Sequence, residues 1–179
     1  MCKISYSKKV IEYCKKKNKR ISFKVGNLTN LKFSEGSFDC IISLWSGFRY
    51  LKNKIKGIRE LKRVLKDKGI LLIEEADETS EYVKILDIIA PKRKSRIKEK
   101  RIELKKVLEK YFDVKENKLK TYYYFKSKNQ FKEYFRKEIV FDEKKKFKKK
   151  MEKRLDEYLS KKKTLRVEEK SIFFVCRKK

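Results

Sequence analysis

Two short apolar runs flank a segment whose apolar residues recur at helical spacing. Residues 40–44 and 70–73 include β-branched members, as expected of strands that are covered on both faces in a parallel sheet. Gly69 precedes the second run, and we expect it to end the intervening helix with a positive φ. The apolar residues on one face of that helix are Ile55, Ile58, Leu61 and Leu65. The pattern predicts a strand–helix–strand unit, typical of an α/β protein.

Similar patterns predict further elements on both sides of this unit. Residues 1–6 are a short strand-like fragment, and Ser7 is a good N-cap for a helix that closes at Asn18. Pro91 marks the start of a helical stretch, and Ser127 caps another helix. The remaining predictions are strands at 21–25, 119–125 and 171–176, and a basic helix with a narrow apolar stripe at 144–163.

Basic side chains dominate the charge of the chain and leave two interpretations open. The 179 residues carry a formal net charge of +29, and residues 91–179 alone hold 34 basic and 14 acidic side chains. Such a bias indicates contact with RNA or another polyanion through residues 91–179. However, most of the basic residues are lysine, which is also enriched in ordinary solvated surfaces, whereas phosphate recognition tends to use arginine.

Several classes of site and location are not expected. The chain has no histidine, and its four cysteines have no CxxC spacing, so we expect no zinc site and no histidine-based acid–base chemistry. Cys40 and Cys176 lie in strand patterns and are predicted to be buried, which fits a reducing, cytoplasmic setting. No apolar run approaches the roughly 18 residues that span a bilayer.

Two segments carry a resemblance to a known family. Residues 37–43 read SFDCIIS, and residues 61–75 read LKRVLKDKGILLIEE. They resemble the second half of class I S-adenosylmethionine-dependent methyltransferases of the type 11 kind, and a looser likeness extends from about residue 3 to residue 176. The resemblance implies a single domain over residues 1–179, with a Rossmann-like, mostly parallel sheet and an antiparallel C-terminal strand. Residues 1–76 would form its cofactor side and residues 77–179 its lysine-rich half.

The same resemblance implies positions for the cofactor, S-adenosylmethionine. Ser5, followed by Tyr6, stands where the family has an acid that accepts hydrogen bonds from the ribose hydroxyls. The segment Gly26-Asn27-Leu28 stands where an acid and the next backbone N–H meet the adenine ring, and Ser43 ends the following strand. Serine and asparagine can still accept a hydrogen bond, but without the strength of a carboxylate. Alternatively, Ser5 is an ordinary loop hydroxyl and Asn27 shapes a turn.

The acceptor is expected beside the loop that follows residues 40–44. Ligands of open α/β sheets bind outside the carboxyl ends of the strands, so Trp45, Phe48 and Tyr50 would line a pocket and Arg49 would meet an acidic substrate. Aromatic residues near a helix start also serve in packing. No residue is an evident catalytic base.

The family's strand 1 and glycine-rich loop find no match, since no G-x-G occurs in the chain. The family strand order is 3-2-1-4-5-7-6, so the missing strand would leave a gap in the sheet. Three explanations are open: the sequence is a piece of a longer methyltransferase, strand 21–25 pairs directly beside strand 40–44, or a partner chain supplies the strand. The expected function is methyl transfer to a small-molecule or RNA acceptor. The alternative is a non-catalytic module that binds RNA or an acidic partner through its lysine-rich half.

Overall fold

The structure is a computed structural model, and it describes residues 2–5, 7–44, 48, 51–91, 96–143 and 148–179. Six helices and six strands follow one another along these residues in a mixed α/β order. They are β1 (Cys2–Ser5), α1 (Lys8–Lys17), β2 (Ser22–Val25), β3 (Phe38–Ser43), α2 (Lys54–Val64), β4 (Leu65–Ala76), α3 (Glu81–Ile89), α4 (Ile97–Leu108), β5 (Phe112–Tyr124), α5 (Lys128–Glu143), α6 (Lys149–Lys161) and β6 (Arg166–Lys178).

The central strand–helix–strand unit is confirmed. β3 and β4 are parallel neighbours, with Cys40 opposite Ile70 and Ser43 opposite Ile73. β6 runs antiparallel between β4 and β5, so the larger sheet has the order β3-β4-β6-β5. The predicted Rossmann-like α/β fold, with parallel strands and an antiparallel C-terminal strand, is therefore correct.

β1 and β2 form a separate parallel pair, joined by α1. The Ser7 side chain caps α1 by accepting a hydrogen bond from the Val10 N–H at 3.4 Å, as predicted. Of the three explanations for the missing strand, direct pairing of strand 21–25 beside strand 40–44 is wrong, because β2 pairs with β1 in a separate sheet. Within the described residues, β1 and β3 each have a single strand neighbour. The orders β2-β1 and β3-β4-β6-β5 agree with the partial orders 3-2 and 4-5-7-6 that the resemblance implies.

Two hydrophobic cores cover the larger sheet. In the first core, α2 and α4 pack on one face of the sheet. Ile172, Phe174 and Cys176 of β6 point to this face, because every second side chain of a strand lies on the same side. In the second, α3, α5 and α6 pack together with Val167 of β6. The first core therefore fixes the parallel strands, and the second lies beside the ends of β4 and β6.

Two local predictions are wrong for physical reasons. α2 ends at Val64, and Gly69 lies inside β4, where a Cβ would come within 2.8 Å of the Leu65 side chain. Among the described glycines, Gly36 has the positive φ. Cys40 is exposed because, among the residues that the structure describes, β3 has one strand neighbour and little covers its outer face, as the 58% exposure of Ile42 shows. Cys176 is fully buried, as predicted.

Candidate functional site

The carboxyl ends of β1 and β2 bring two of the predicted cofactor residues together. The Gly26 N–H donates a hydrogen bond to the Ser5 carbonyl at 3.0 Å, and the Ser5 hydroxyl accepts one from the Ser7 N–H at 3.2 Å. Because β1 and β2 are parallel, both residues leave the strands at the same edge. The Ser5 hydroxyl is thereby held next to the start of α1.

Gly26 is required by close packing. A Cβ on this residue would lie 2.6 Å from Cγ2 of Ile4, closer than side-chain carbon atoms approach. The backbone of β1 and that of the loop after β2 therefore come nearer to each other than a larger residue would allow.

Asn27 shapes the turn that follows β2. Its Oδ1 accepts hydrogen bonds from the Thr29 N–H and from the Thr29 hydroxyl, both at 2.9 Å. The Asn30 N–H donates to the Asn27 carbonyl at 3.0 Å, which closes the turn. These contacts favour the turn-shaping alternative, although the amide nitrogen of Asn27 can still donate to a ligand.

The segment after Asn27 is anchored to α2. Leu28 packs on the first core, facing Gly57. The Arg63 guanidinium donates to the carbonyls of Phe33 at 2.8 Å and Leu31 at 3.0 Å, and the Glu60 carboxylate accepts the Leu31 N–H at 2.9 Å. α2 thus holds the loop that carries Asn27.

Ser43 ends β3 opposite Ile73, at the carboxyl edge of the larger sheet. Beyond it, Phe48 is fully buried in the first core, which favours a packing role for this ring over contact with an acceptor. Tyr6, Trp45, Arg49 and Tyr50 lie outside the described residues, so their proposed roles stay predictions.

A group of acidic and tyrosine side chains lies at the end of β4 and was not predicted from the sequence. We call it the acid–tyrosine cluster, and its members are Glu74, Tyr82, Tyr123, Tyr134, Glu138 and Glu169. The Tyr82 hydroxyl donates to Glu138 at 2.7 Å, and the centroids of the Tyr123 and Tyr134 rings are 5.4 Å apart. A signal was present in the sequence, since the apolar run 70–73 leads directly into two glutamates at the edge where ligands bind.

Burial changes the protonation of this cluster. Burial is the largest cause that raises the pKa of Glu169, and the nearby carboxylates of Glu74 and Glu138 raise it further, against a hydrogen bond from Tyr123. Burial also raises the pKa of the Tyr82 and Tyr123 hydroxyls, which stay protonated and act as donors. The cluster therefore combines carboxyl groups with protonated hydroxyl donors.

Many basic side chains of the C-terminal half serve in ion pairs within the fold. Arg136 pairs with Glu152, Lys105 with Glu116 at 3.1 Å, and Arg101 with Glu78 at 2.9 Å. These pairs favour the structural interpretation of the charge for the side chains concerned, and contact with a polyanion stays a prediction. None of the helices in the described ranges has the length and apolar character needed to cross a membrane.

Comparisons with known proteins find similarity to methyltransferases in the first part of the chain. Residues 1–73 match the family profile described as a methyltransferase domain. A 69-residue stretch is 42% identical to the demethylmenaquinone methyltransferase of Thermotoga maritima, and the match covers 38% of this chain and 30% of that enzyme. The chain thus spans less than a third of the curated relative that it matches.

Solved structures of other proteins superpose on nearly the full length of this chain. The YcgJ protein of Bacillus subtilis superposes with a TM-score of 0.64 at 15% identity, covering 99% of this chain and 82% of that one. A methyltransferase of Thermotoga maritima, described as a possible histamine N-methyltransferase, gives a TM-score of 0.54 at 14% identity, with 98% and 72% covered. The resemblance to methyltransferases is confirmed by sequence over residues 1–73, and the solved structures show that the described chain shares their fold.

Proposed function

We propose that this chain, a relative of the methyltransferase domain family, takes part in S-adenosylmethionine-dependent methyl transfer to a small-molecule or RNA acceptor. The observation that carries the proposal is the position of Ser5, Gly26 and Asn27 at one carboxyl edge, β1–β2, and of Ser43 at the carboxyl end of β3. Ligands of open α/β sheets bind at such edges. The match over residues 1–73 supports the same assignment.

The residues present suit the nucleoside half of the cofactor. The Ser5 hydroxyl would meet the ribose, with Tyr6 next to it, and the Asn27 amide and Leu28 N–H would meet the adenine ring, with Gly26 allowing close approach. Ser43 would face the centre of the cofactor. When bound, the cofactor supplies an electrophilic methyl group on a sulfonium, and the protein has mainly to place the acceptor in line with it. Trp45, Arg49 and Tyr50 are the proposed acceptor side.

Calorimetric titration with S-adenosylhomocysteine tests the proposal on the chain as it exists. Saturable binding is the expected result, and Ser5→Asp should tighten it by about tenfold, because a carboxylate makes charge-assisted hydrogen bonds to ribose hydroxyls. Ser34→Asp is the matched control, since Ser34 lies in an exposed loop and receives the same charge. Absence of heat at millimolar ligand for both the wild-type chain and Ser5→Asp would count against the proposal.

A further inference from the structure

One face of the larger sheet continues beyond the helices that cover it. Lys105 of α4 pairs with Glu116 of β5 at 3.1 Å, so the helix still covers the strand at this point. Further along β5, Lys120, Tyr122 and Tyr124 lie on the same face as Glu116, because every second side chain of a strand points to the same side. All three of these residues are exposed. The last part of β5 therefore presents its side chains to solvent.

Two tyrosines on this face are not explained by packing. Tyr124 is 72% exposed and Tyr122 is 37% exposed, whereas Tyr123 between them points to the opposite face and packs against the second core. The centroids of the Tyr122 and Tyr124 rings are 6.4 Å apart, and the two rings are tilted rather than stacked on each other. Neighbouring exposed aromatic rings on one sheet face indicate a binding surface.

Arg166 of β6 completes the aromatic part of this surface. It lies opposite Tyr124 in the antiparallel pair, and its guanidinium is 4.5 Å from the centroid of the Tyr122 ring. Arg166 is exposed, and no carboxylate among the described residues pairs with it. A guanidinium beside an aromatic ring offers a flat cationic surface for a further planar group or an anion.

Two lysines add positive charge next to the rings. Lys120 of β5 lies opposite Lys170 of β6 on the same face. One carboxylate, that of Glu168, pairs with Lys120 at 3.1 Å and with Lys170 at 2.9 Å, so the surface keeps an excess of positive charge. We call this surface the tyrosine platform, and its members are Lys120, Tyr122, Tyr124, Arg166 and Lys170.

A pocket of about 400 Å³ adjoins the platform where β5 ends. The Phe125 N–H donates a hydrogen bond to the Leu165 carbonyl at 2.9 Å, which holds the two chain segments together beside it. The pocket offers an aromatic wall and a cationic wall to a planar polar group. Its lining residues are Tyr124, Phe125, Thr164, Leu165 and Arg166.

We propose that the tyrosine platform binds single-stranded RNA, and that RNA held there is the methyl acceptor. Unstacked bases stack on tyrosine rings and guanidinium planes, while lysines meet the phosphates. Tyr122 and Tyr124 stand two residues apart on one face, so successive bases of one strand can each meet a ring. Single-stranded loops with accessible bases are the regular targets of RNA-binding sheets. The role of the RNA as acceptor rests on the proposed function, whereas its binding does not.

The platform lies at the sheet edge where the cofactor is proposed to bind. β4 and β5 both run antiparallel to β6, so they are parallel to each other, and β3 is parallel to β4. Tyr124 therefore ends β5 at the same edge at which Ser43 ends β3. RNA on the platform would thus occupy the carboxyl edge of the sheet, where ligands of open α/β sheets bind.

The experiment measures fluorescence anisotropy of a labelled oligouridine of about twelve nucleotides, within the site sizes of single-strand binders. At about 0.15 M salt, binding should be saturable and at least about tenfold tighter than binding of duplex RNA of the same length, whose bases are not free to stack. Polyglutamate should compete weakly, because it carries charge without bases. Equal affinity for the duplex, or equally effective competition by polyglutamate, overturns the inference.

Substitutions separate stacking from charge. Tyr122→Ala and Tyr124→Ala should each weaken oligouridine binding by about fivefold or more, whereas Tyr124→Phe should stay within about twofold because its ring still stacks. Arg166→Gln should weaken binding and reduce the slope of log affinity against log salt by about 0.7, the value for one phosphate contact of a single strand. Circular dichroism verifies that the variants fold.

Tyr13→Ala is the matched control. Tyr13 is 63% exposed on α1, and the Lys17 ammonium lies 5.9 Å from the centroid of its ring, so it offers a similar ring and cation away from β5 and β6. Its substitution should leave oligouridine affinity within about twofold. Unchanged affinity in both platform alanine variants, or an equal loss in Tyr13→Ala, overturns the inference.

The outcomes for the two proposals are separable. Binding of S-adenosylhomocysteine without saturable binding of oligouridine overturns the platform and leaves methyl transfer to a small molecule standing. Tyrosine-dependent binding of oligouridine without binding of S-adenosylhomocysteine leaves the platform and removes its role in methyl transfer. If both bind, a labelled methyl group should pass from S-adenosylmethionine to a random-sequence RNA pool, less so with Tyr124→Ala, and absence of transfer overturns the acceptor role.

Discussion

Arg63 and Glu60 form an ion pair, with the Arg63 Nε and the Glu60 Oε1 2.9 Å apart, and the same two side chains hold the backbone of the loop after β2. The pair is therefore more than a surface contact. It connects α2 to the segment that carries Asn27, one of the proposed cofactor residues. This connection could not be predicted from the sequence, because the partners are about thirty residues apart.

Glu60→Gln should lower the free energy of unfolding by about 1–3 kcal/mol, since the Arg63 guanidinium loses its charged partner and the Leu31 N–H a charged acceptor. Urea denaturation measures the change. Glu12→Gln is the control, because Glu12 is exposed on α1 and should change stability by less than about 0.5 kcal/mol. Equal effects of the two variants would contradict the anchoring role of Glu60.

Stability should also fall in acid through the same residue. The hydrogen bond from Arg63 is the largest cause that lowers the pKa of Glu60, to about 2 from 4.5. A lowered carboxyl pKa contributes stability that is complete above 4.5 and is lost as the pH falls towards 2. Unfolding free energies measured between pH 5 and pH 2.5 should decline less steeply in Glu60→Gln than in the wild-type chain. Identical slopes would show that Glu60 does not contribute.

Gly26→Ala should destabilise the β1–β2 pair by about 1–3 kcal/mol, because its Cβ would overlap Cγ2 of Ile4. Ile4→Ala removes that methyl group, so the double variant should recover most of the loss. A double-mutant cycle in urea measures the coupling, which we expect to be at least about 1 kcal/mol. Strict additivity of the two substitutions would contradict the close approach.

The cysteines should differ sharply in their reaction with iodoacetamide in the folded protein. Cys40 is exposed, whereas Cys176 is fully buried and burial raises its thiol pKa to about 12, so it carries almost no thiolate at neutral pH. Mass spectrometry of the labelled protein should find Cys40 modified well before Cys176. Denaturant should remove the difference, and early labelling of Cys176 without denaturant would contradict the fold around β6.

Phe131 should be a main support of the second core. Its ring is fully buried and lies 4.7 Å from the ring of Phe135, centroid to centroid. Phe131→Ala should cost about 3–5 kcal/mol of unfolding free energy, as expected for a fully buried ring. Tyr124→Ala is the control, because Tyr124 is 72% exposed, and it should cost under about 1 kcal/mol by thermal or urea denaturation.

The central fold was predictable because its signals are local. The apolar runs at 40–44 and 70–73 and the helical spacing between them are short-range patterns that parallel strands and their crossover helix impose on any sequence. Ser7 as the cap of α1 follows from the chemistry of one side chain. The antiparallel terminal strand came from the family resemblance, and the pairing of β6 with β4 confirms it.

What escaped prediction depends on tertiary contacts. The sequence analysis predicted no helix at α3, because these residues fall in the C-terminal half, where the likeness to the family is loose. The exposure of Cys40 depends on which neighbours cover β3, and the acid–tyrosine cluster joins residues from β4, α3, β5, α5 and β6. Neither property is encoded in the spacing of neighbouring residues. The sequence left both a packing role and a binding role open for Phe48, and the burial of its ring favours packing.

The unpaired edges of β1 and β3 have a practical consequence for handling the protein. Each of these two strands has one neighbour within the described residues, and the side chain of Ile42 in β3 is largely exposed. Unpaired backbone groups beside apolar side chains are a template on which another extended polypeptide can add. A concentrated preparation of this chain alone will therefore tend towards intermolecular β-association, and dilute, low-temperature storage will keep it dispersed.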